Sequence, residues 1–257
     1  MKLNNQIALV TGASKGMGRA IALALAREGA DLVVTARDKA QLDSLCAEVQ
    51  GLGRRCIAAA VDLAAPDAAD AVWAACGAVE RIDILVNNAG IGSSADPRPL
   101  VAFNDAFWDE TLRVNLTIPY LLCKRALPPM IARHHGRVIN IASIAGRTGT
   151  MHGAAYAASK HGLLGLTRTL AMEVVKDGVT VNAICPGTVR SLMNDKRLAY
   201  DAKRLGRTFE DIEKNIVPIG RRIEPEEIAE FAVYLASPLA AATTGQAFVI
   251  DGGATNY

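Results

Sequence analysis

Apolar residues in this chain fall into short β-branched runs, separated by longer segments in which they recur every three or four positions. The runs are QIALV (6–10), DLVVTA (31–36), CIAAAV (56–61), IDILVN (82–87), RVINIA (137–142), VTVNAI (179–184) and AFVID (247–251), and they predict seven strands. The Ala/Leu-rich segments 17–28, 39–52, 66–78, 107–133, 155–177 and 225–236 carry helical periodicity. Strand and helix therefore alternate, and continuous apolar strands are what a parallel sheet covered on both faces requires. The prediction is an α/β fold, a doubly wound seven-stranded parallel sheet of the Rossmann type, in a single domain over residues 1–257. No Pro- or Ser-rich linker divides it. Only 188–224 is long and strandless, and it reads as one or two helices forming a lid over the body.

Composition narrows the partners. A formal charge of +2 with cations spread along the chain gives no electrostatic case for nucleic acid or an anionic membrane, which leaves small molecules. The cysteines at 46, 56, 76, 123 and 185 form no CxxC pair and are odd in number, so they are expected to be reduced core thiols. His134 and His135 are adjacent but lack a third ligand, and no metal is expected. The first strand begins within six residues, leaving no room for a signal peptide, and no apolar run reaches the ~18 residues of a membrane span. A cytoplasmic protein is expected.

Two stretches carry candidate chemistry. After the first strand, TGASKGMG runs directly into a helix. Gly12 permits the tight turn, Gly16 the approach of backbone amides to a pyrophosphate, and Gly18 close packing of helix on strand, with the anion at the helix N-terminus. Further on, YAASK places Tyr156 and Lys160 one helical turn apart on one face. A phenol of pKa ~10 is a poor base at neutral pH, forfeiting roughly 4 kcal/mol. A neighbouring ammonium, helped by an oxidised nicotinamide, is expected to lower that pKa. Ser143 ends the fifth strand, where ligands bind in open α/β sheets.

With NNAG (87–90) and NAICPG (182–187), these motifs stand in an order that resembles the compact short-chain dehydrogenases/reductases over residues 6–253. The resemblance implies hydride transfer between a nicotinamide cofactor and a ketone or secondary alcohol, with Asn115, Ser143, Tyr156 and Lys160 as the catalytic set. In that set the tyrosine is acid/base, the serine positions the carbonyl, the lysine holds the ribose and tunes the tyrosine, and the asparagine, within a long helix, supports a water-linked proton relay. It also implies a cofactor lying against Gly12, Ser14, Lys15, Gly16, Met17, Gly18, Arg37, Asp62, Leu63, Asn88, Ala89, Gly90, Pro186, Gly187, Val189 and Ser191, besides Tyr156 and Lys160. The substrate pocket would take Ser93, Ile144, Met151, His152 and Met193 beside Ser143.

Asp38 reads as the N-cap of the next helix, with Gln41 completing a capping box, so no carboxylate is left for a ribose hydroxyl. Lys15 and Arg37 are the two cations at that place, and they suit a 2′-phosphate. NADP(H) is expected, with NAD(H) as the alternative. A carbonyl or β-keto (3-oxoacyl-like) reductase is the leading reading, against an NAD-linked secondary alcohol dehydrogenase and a non-catalytic redox sensor. The resemblance also implies a homotetramer. His134 and Met172 stand where reductases of carrier-protein substrates have basic residues, which counts against such a partner. The lid cations Lys196, Arg197, Lys203, Arg204 and Arg207 read as a solvated face, and His152 as a turn histidine.

Overall fold

Every predicted apolar run forms a strand in the computed structural model, which describes residues 1–255: β1 (Ile7–Thr11), β2 (Asp31–Ala36), β3 (Cys56–Ala60), β4 (Ile84–Asn87), β5 (Gly136–Ile141), β6 (Val179–Pro186) and β7 (Ala247–Ile250). Asn256 and Tyr257 lie outside the described residues. All pairings are parallel, in the order β3-β2-β1-β4-β5-β6-β7. The order reverses at β1, so a crevice opens beyond the carboxyl ends of β1 and β4, where such sheets bind ligands.

The two faces of the sheet separate along each strand. Ala8, Val10, Leu32, Val34, Ile84 and Val86 pack with Ile21, Leu25, Leu42, Ile228 and Val233 of the helices α1 (Gly16–Arg27), α2 (Lys39–Gly51) and α9 (Pro225–Ala236). Their neighbours Ile7, Leu9, Val33, Leu85 and Val138 pack on the opposite side with Val72, Leu122, Ala171 and Val174. Those four belong to α3 (Ala68–Cys76), α5 (Ile118–Ala132) and α6 (Ala154–Val174). Alternating side chains are thus mostly apolar on both sides, and this is why the runs are nearly continuous, the buried Asn140 and Asn182 being satisfied by Thr167 and the Thr243 carbonyl.

The long helix expected over 107–133 is not continuous. It comprises α4 (Asp105–Leu112), a wider π-helical turn at Arg113–Thr117, and α5. Pro119 is the physical reason: it has no N–H to give the carbonyl four residues back, and its ring crowds that carbonyl, which belongs to Asn115. The lid is two helices, α7 (Leu192–Leu205) and α8 (Phe209–Asn215).

Cys46 of α2 and Cys56 at the start of β3 are disulfide-bonded with their Cα atoms 5.1 Å apart, which corrects the expectation of five reduced thiols. Cys76, Cys123 and Cys185 are free and buried. The bridge joins an edge strand to the helix that precedes it and closes a sequence separation of 10. A loop of that length is worth about 3 kcal/mol of unfolded-chain entropy. Reduction with dithiothreitol is expected to lower the unfolding free energy by about that amount. A denaturant midpoint that reductant leaves unmoved would contradict this.

Candidate active site

The segments singled out in the sequence leave the carboxyl ends of successive strands: Gly12 after β1, Arg37 after β2, Asp62 after β3, Asn88 to Gly90 after β4, Ser143 after β5 and Gly187 after β6. Strand alignment alone brings them to one edge. Thr11, which sequence reasoning passed over, ties two of them together. Its hydroxyl accepts the backbone N–H groups of Asn88 and Ala89, both at 3.0 Å. The Asn88 amide in turn donates to the carbonyls of Thr11 and Gly12 at 2.9 and 3.2 Å. Asn87, by contrast, turns its side chain into the core, donating to Asn140 at 2.9 Å.

The glycine turn has the shape of an anion cradle. Gly12 and Gly16 have φ of +65° and +56°, conformations that side chains resist, and a Cβ at Gly18 would lie 2.2 Å from the Gly12 carbonyl oxygen. Open space fronts Gly16. Ala13 N–H donates to the Thr35 carbonyl at 3.2 Å, which holds the turn against the end of β2, where Arg37 follows. Lys15 and Arg37 are both exposed, and neither makes an ion pair among the described residues. Asp38 caps α2 by accepting the Gln41 N–H at 3.1 Å, as expected. These donors and free cations fit a dinucleotide carrying an additional phosphate on its ribose. Ser14 and Met17 lie half-buried along the same turn.

Other expected cofactor contacts are constrained by the fold. Asp62 is exposed and its carboxylate accepts the Ala64 N–H at 3.0 Å; the Leu63 side chain is buried in the core, so only its backbone faces outward. Pro186 ends β6, and a Cβ on Gly187 would collide with Asp251 at 2.7 Å. Val189 is buried and pairs with Ile223, while the Ser191 hydroxyl caps α7 by accepting the Asn194 N–H at 3.3 Å.

Tyr156, Lys160 and Ser143 converge. Ser143 is buried with its hydroxyl accepting the Ala145 N–H at 3.1 Å, and it stands near enough to the Tyr156 phenol to lower the phenol's pKa. Lys160 is 4% exposed, donates from Nζ to the Ile141 carbonyl at 2.7 Å, and lies 5.8 Å from the centre of the Tyr156 ring. Burial pushes the Tyr156 pKa up, and Ser143 only partly opposes it. Burial also pushes Lys160 down to about 8. The expectation of a phenol made acidic by its lysine is therefore corrected for the free protein: desolvation is the largest influence on the phenol and raises its pKa, so it keeps its proton at neutral pH. A protonated phenol beside a serine hydroxyl is a proton donor suited to a carbonyl being reduced.

Asn115 joins this group through the π-helical turn. Its side chain accepts the Ile91 N–H at 2.8 Å and donates to the Ile91 carbonyl at 2.9 Å and to Ser159 Oγ at 3.1 Å. The side chain is spent in clamping the segment after β4. Pro119 denies the Asn115 main-chain carbonyl the N–H four residues on, the donor it would have in an α-helix. A Cβ on Gly90 would come within 3.3 Å of Asn115 Oδ1 and 3.7 Å of Lys160 Nζ, so glycine there lets the segment lie against both.

The expected pocket residues line the mouth. Met193 of α7 lies against Gly92, where a Cβ would be 2.5 Å from its sulfur, and Ser94 donates to the Met193 carbonyl at 2.9 Å. Ile144 is half-buried in the turn after Ser143, and Met151 is exposed. His152 is no idle turn residue: its Nδ1 meets the Tyr200 hydroxyl at 2.5 Å. Nor are the lid cations all solvated. Arg197, Arg204 and Arg207 are paired with Asp201, Asp201 and Asp211, and Arg197 turns inward to donate to the Met151 carbonyl at 3.0 Å. The lid is anchored by Arg222, which is 5% exposed and forms ion pairs with Asp195 of α7 at 2.5 Å and Glu213 of α8 at 2.6 Å. Arg197, Tyr200 and Arg222 were not foreseen as site residues, since their roles depend on how the lid folds back.

Residues 12–255 match a family profile described as Enoyl-(Acyl carrier protein) reductase. A ketoacyl reductase attributed to the granaticin polyketide synthase of Streptomyces violaceoruber is 40% identical, the alignment covering 98% of this chain and 93% of the relative. A 3-oxoacyl-(acyl-carrier-protein) reductase of Vibrio harveyi is 37% identical, covering 98% of each chain. Among solved structures, a variant of actinorhodin polyketide ketoreductase crystallised with NADPH superposes with a TM-score of 0.91 at 36% identity, covering 98% of both chains.

Proposed function

The chain belongs to the short-chain dehydrogenase/reductase family and is an oxidoreductase, and from that premise we propose that it reduces a β-keto (3-oxoacyl-like) carbonyl at the expense of NADPH. The observation that carries this reading is a phenol kept protonated by burial, set beside Ser143 and backed by Lys160, at the strand ends beside an anion cradle. When bound, NADPH supplies the hydride. Ser143 and Tyr156 hydrogen-bond the carbonyl oxygen, and Tyr156 delivers the proton to the alkoxide that develops there. Lys160 stabilises the phenolate left behind by its charge, and it binds the nicotinamide ribose. The phenolate would regain its proton through Lys160 and water, with the Asn115 carbonyl accepting a hydrogen bond from that water. Lys15 and Arg37 hold the 2′-phosphate, while Thr11 and Asn88 keep the two lips of the crevice in register.

The NAD-linked alternative is disfavoured because the one carboxylate at the end of β2, that of Asp38, is used as a helix cap. A silent redox sensor would have no use for a buried lysine beneath a phenol, since burying an ammonium is costly. The reading extends to a cytoplasmic homotetramer. Exposed Leu100, Val101, Tyr120 and Met172 offer apolar surface for assembly, and among the described residues no helix is long and apolar enough to cross a membrane.

Purified protein mixed with ketones, β-keto esters and alcohols, with either nicotinamide, is expected to oxidise NADPH with the β-keto esters. Activity confined to NADH, or to none of these, would refute the reading. The pH profile follows from Lys160. Its ammonium is present below about 8 and lost above it, whereas the raised phenol stays protonated across that range. For reduction, kcat/KM is expected to be level in the neutral range and to fall as pH rises through about 8. A rate that climbs through that range would contradict the assignment.

A further inference from the structure

The lid meets the body through a cluster of side chains that proton transfer does not use. Arg197 holds Asp201 through Nε and Nη2 at 2.7 and 3.1 Å, and Arg204 shares the same carboxylate at 3.2 Å. The remaining nitrogen of Arg197 reaches across to the Met151 carbonyl at 3.0 Å and to Ser93 Oγ at 3.5 Å. The same guanidinium lies 5.5 Å from the centre of the Tyr200 ring. Tyr200 in turn presents its hydroxyl to His152 Nδ1 at 2.5 Å, the two rings edge to face.

His152 has a φ of +56°, a left-handed conformation that a non-glycine residue adopts at a cost. Such strain persists where the surroundings over-determine it, and it gathers at ligand clamps. The segment after β4 lies between this pair and the reacting centre. Gly153, next to His152, is packed against Ser93; Gly92, the residue before Ser93, is packed against Met193; and Gly90 faces Lys160 Nζ. The rest of the mouth is apolar, with Met151, Leu192 and Met193 exposed around it.

In the contact between Tyr200 and His152 one partner donates and the other accepts. That leaves hydrogen-bonding capacity on the hydroxyl and on the imidazole Nε2, which has no partner among the described residues. We propose that Tyr200 and His152 determine specificity by hydrogen-bonding a second oxygen function of the substrate, so that keto esters and their like are chosen over plain hydrocarbon ketones. Arg197 itself is spent on Asp201, the Met151 carbonyl and Ser93, which leaves Tyr200 and His152 as the groups with hydrogen-bonding capacity to spare. Methionines and leucine alone could not make the distinction, since an apolar wall discriminates weakly, whereas a built polar contact penalises an analogue that leaves it unpaired. The inference rests on the ketoreductase reading of the preceding subsection.

The test compares ethyl acetoacetate with 2-heptanone, which matches it in chain length, using NADPH and the full chain. The ratio of kcat/KM values for the two substrates is measured in the wild type, in Tyr200→Phe and in His152→Asn, the asparagine being chosen because it tolerates the left-handed backbone. The ratio is expected to fall about tenfold in both variants. A ratio that either folded variant leaves unchanged, even where both rates drop together, means that the pair only latches the lid and overturns the proposal alone. Wild-type enzyme that turns over neither ketone overturns the ketoreductase reading and the proposal with it.

Discussion

Replacing Tyr156 with phenylalanine is expected to lower kcat/KM for carbonyl reduction by about 10³-fold while leaving NADPH affinity nearly unchanged. The substitution removes a single oxygen from a half-buried ring whose packing is otherwise retained, so the fold has little reason to respond. Ser143 would still hold the carbonyl, but no acid would stand within reach of the alkoxide. Lys160 does not take over, because its Nζ is held behind the phenol ring, 5.8 Å from the ring centre and bonded to the Ile141 carbonyl. Single-turnover reduction monitored at the nicotinamide absorbance, beside a fluorescence titration of NADPH, separates chemistry from binding. Wild-type turnover in the variant would remove the phenol from the mechanism.

The other large effect is expected at the cofactor. Lys15→Ala combined with Arg37→Ala would withdraw both free cations from the carboxyl ends of β1 and β2. A charge-assisted hydrogen bond is worth about 1.5–3 kcal/mol, so the pair should weaken NADPH by at least about a hundredfold. NADH, which lacks the extra phosphate, should be affected little, and the ratio of kcat/KM between the cofactors is the measurement. Equal losses with both would place the two residues on the solvated surface instead. The Asp38 cap makes the double variant informative, because the one carboxylate that could welcome NADH already serves the N-terminus of α2.

The sheet was readable in the sequence because a buried parallel strand is largely apolar on both faces, and the seven runs met that condition despite the buried Asn140 and Asn182. Helix α9 was found at both ends, since Pro225 starts it and the Ser237-Pro238 pair stops it. The catalytic residues were readable because they sit in local motifs at strand ends. Interactions that depend on the return of a distant segment were not. Cys46 and Cys56 show no spacing signature, and only the packing of α2 along β3 brings them together. Arg197 and Tyr200 lie on a helix whose charge pattern resembles a solvated face, and nothing local says that it folds back onto Met151 and His152. The disagreement over Tyr156 has a different origin. Spacing reports the nearness of an ammonium but not the burial of both groups, and burial is the larger influence on each.

The interruption between α4 and α5 did leave a trace, Pro119, which averaging over helical periodicity smoothed away. Its consequence reaches beyond local shape. An α-helix advances about 100° per residue, so losing one residue from 113–117 would swing everything on one side of the gap by that angle relative to the other. Asn115 would part from Ile91, and the floor beneath the lysine would shift with it. Here the number of residues matters as well as the identity of Asn115 and Pro119. Descendants of this sequence should explore new substrates by redrawing the lid and leave the length of this stretch alone.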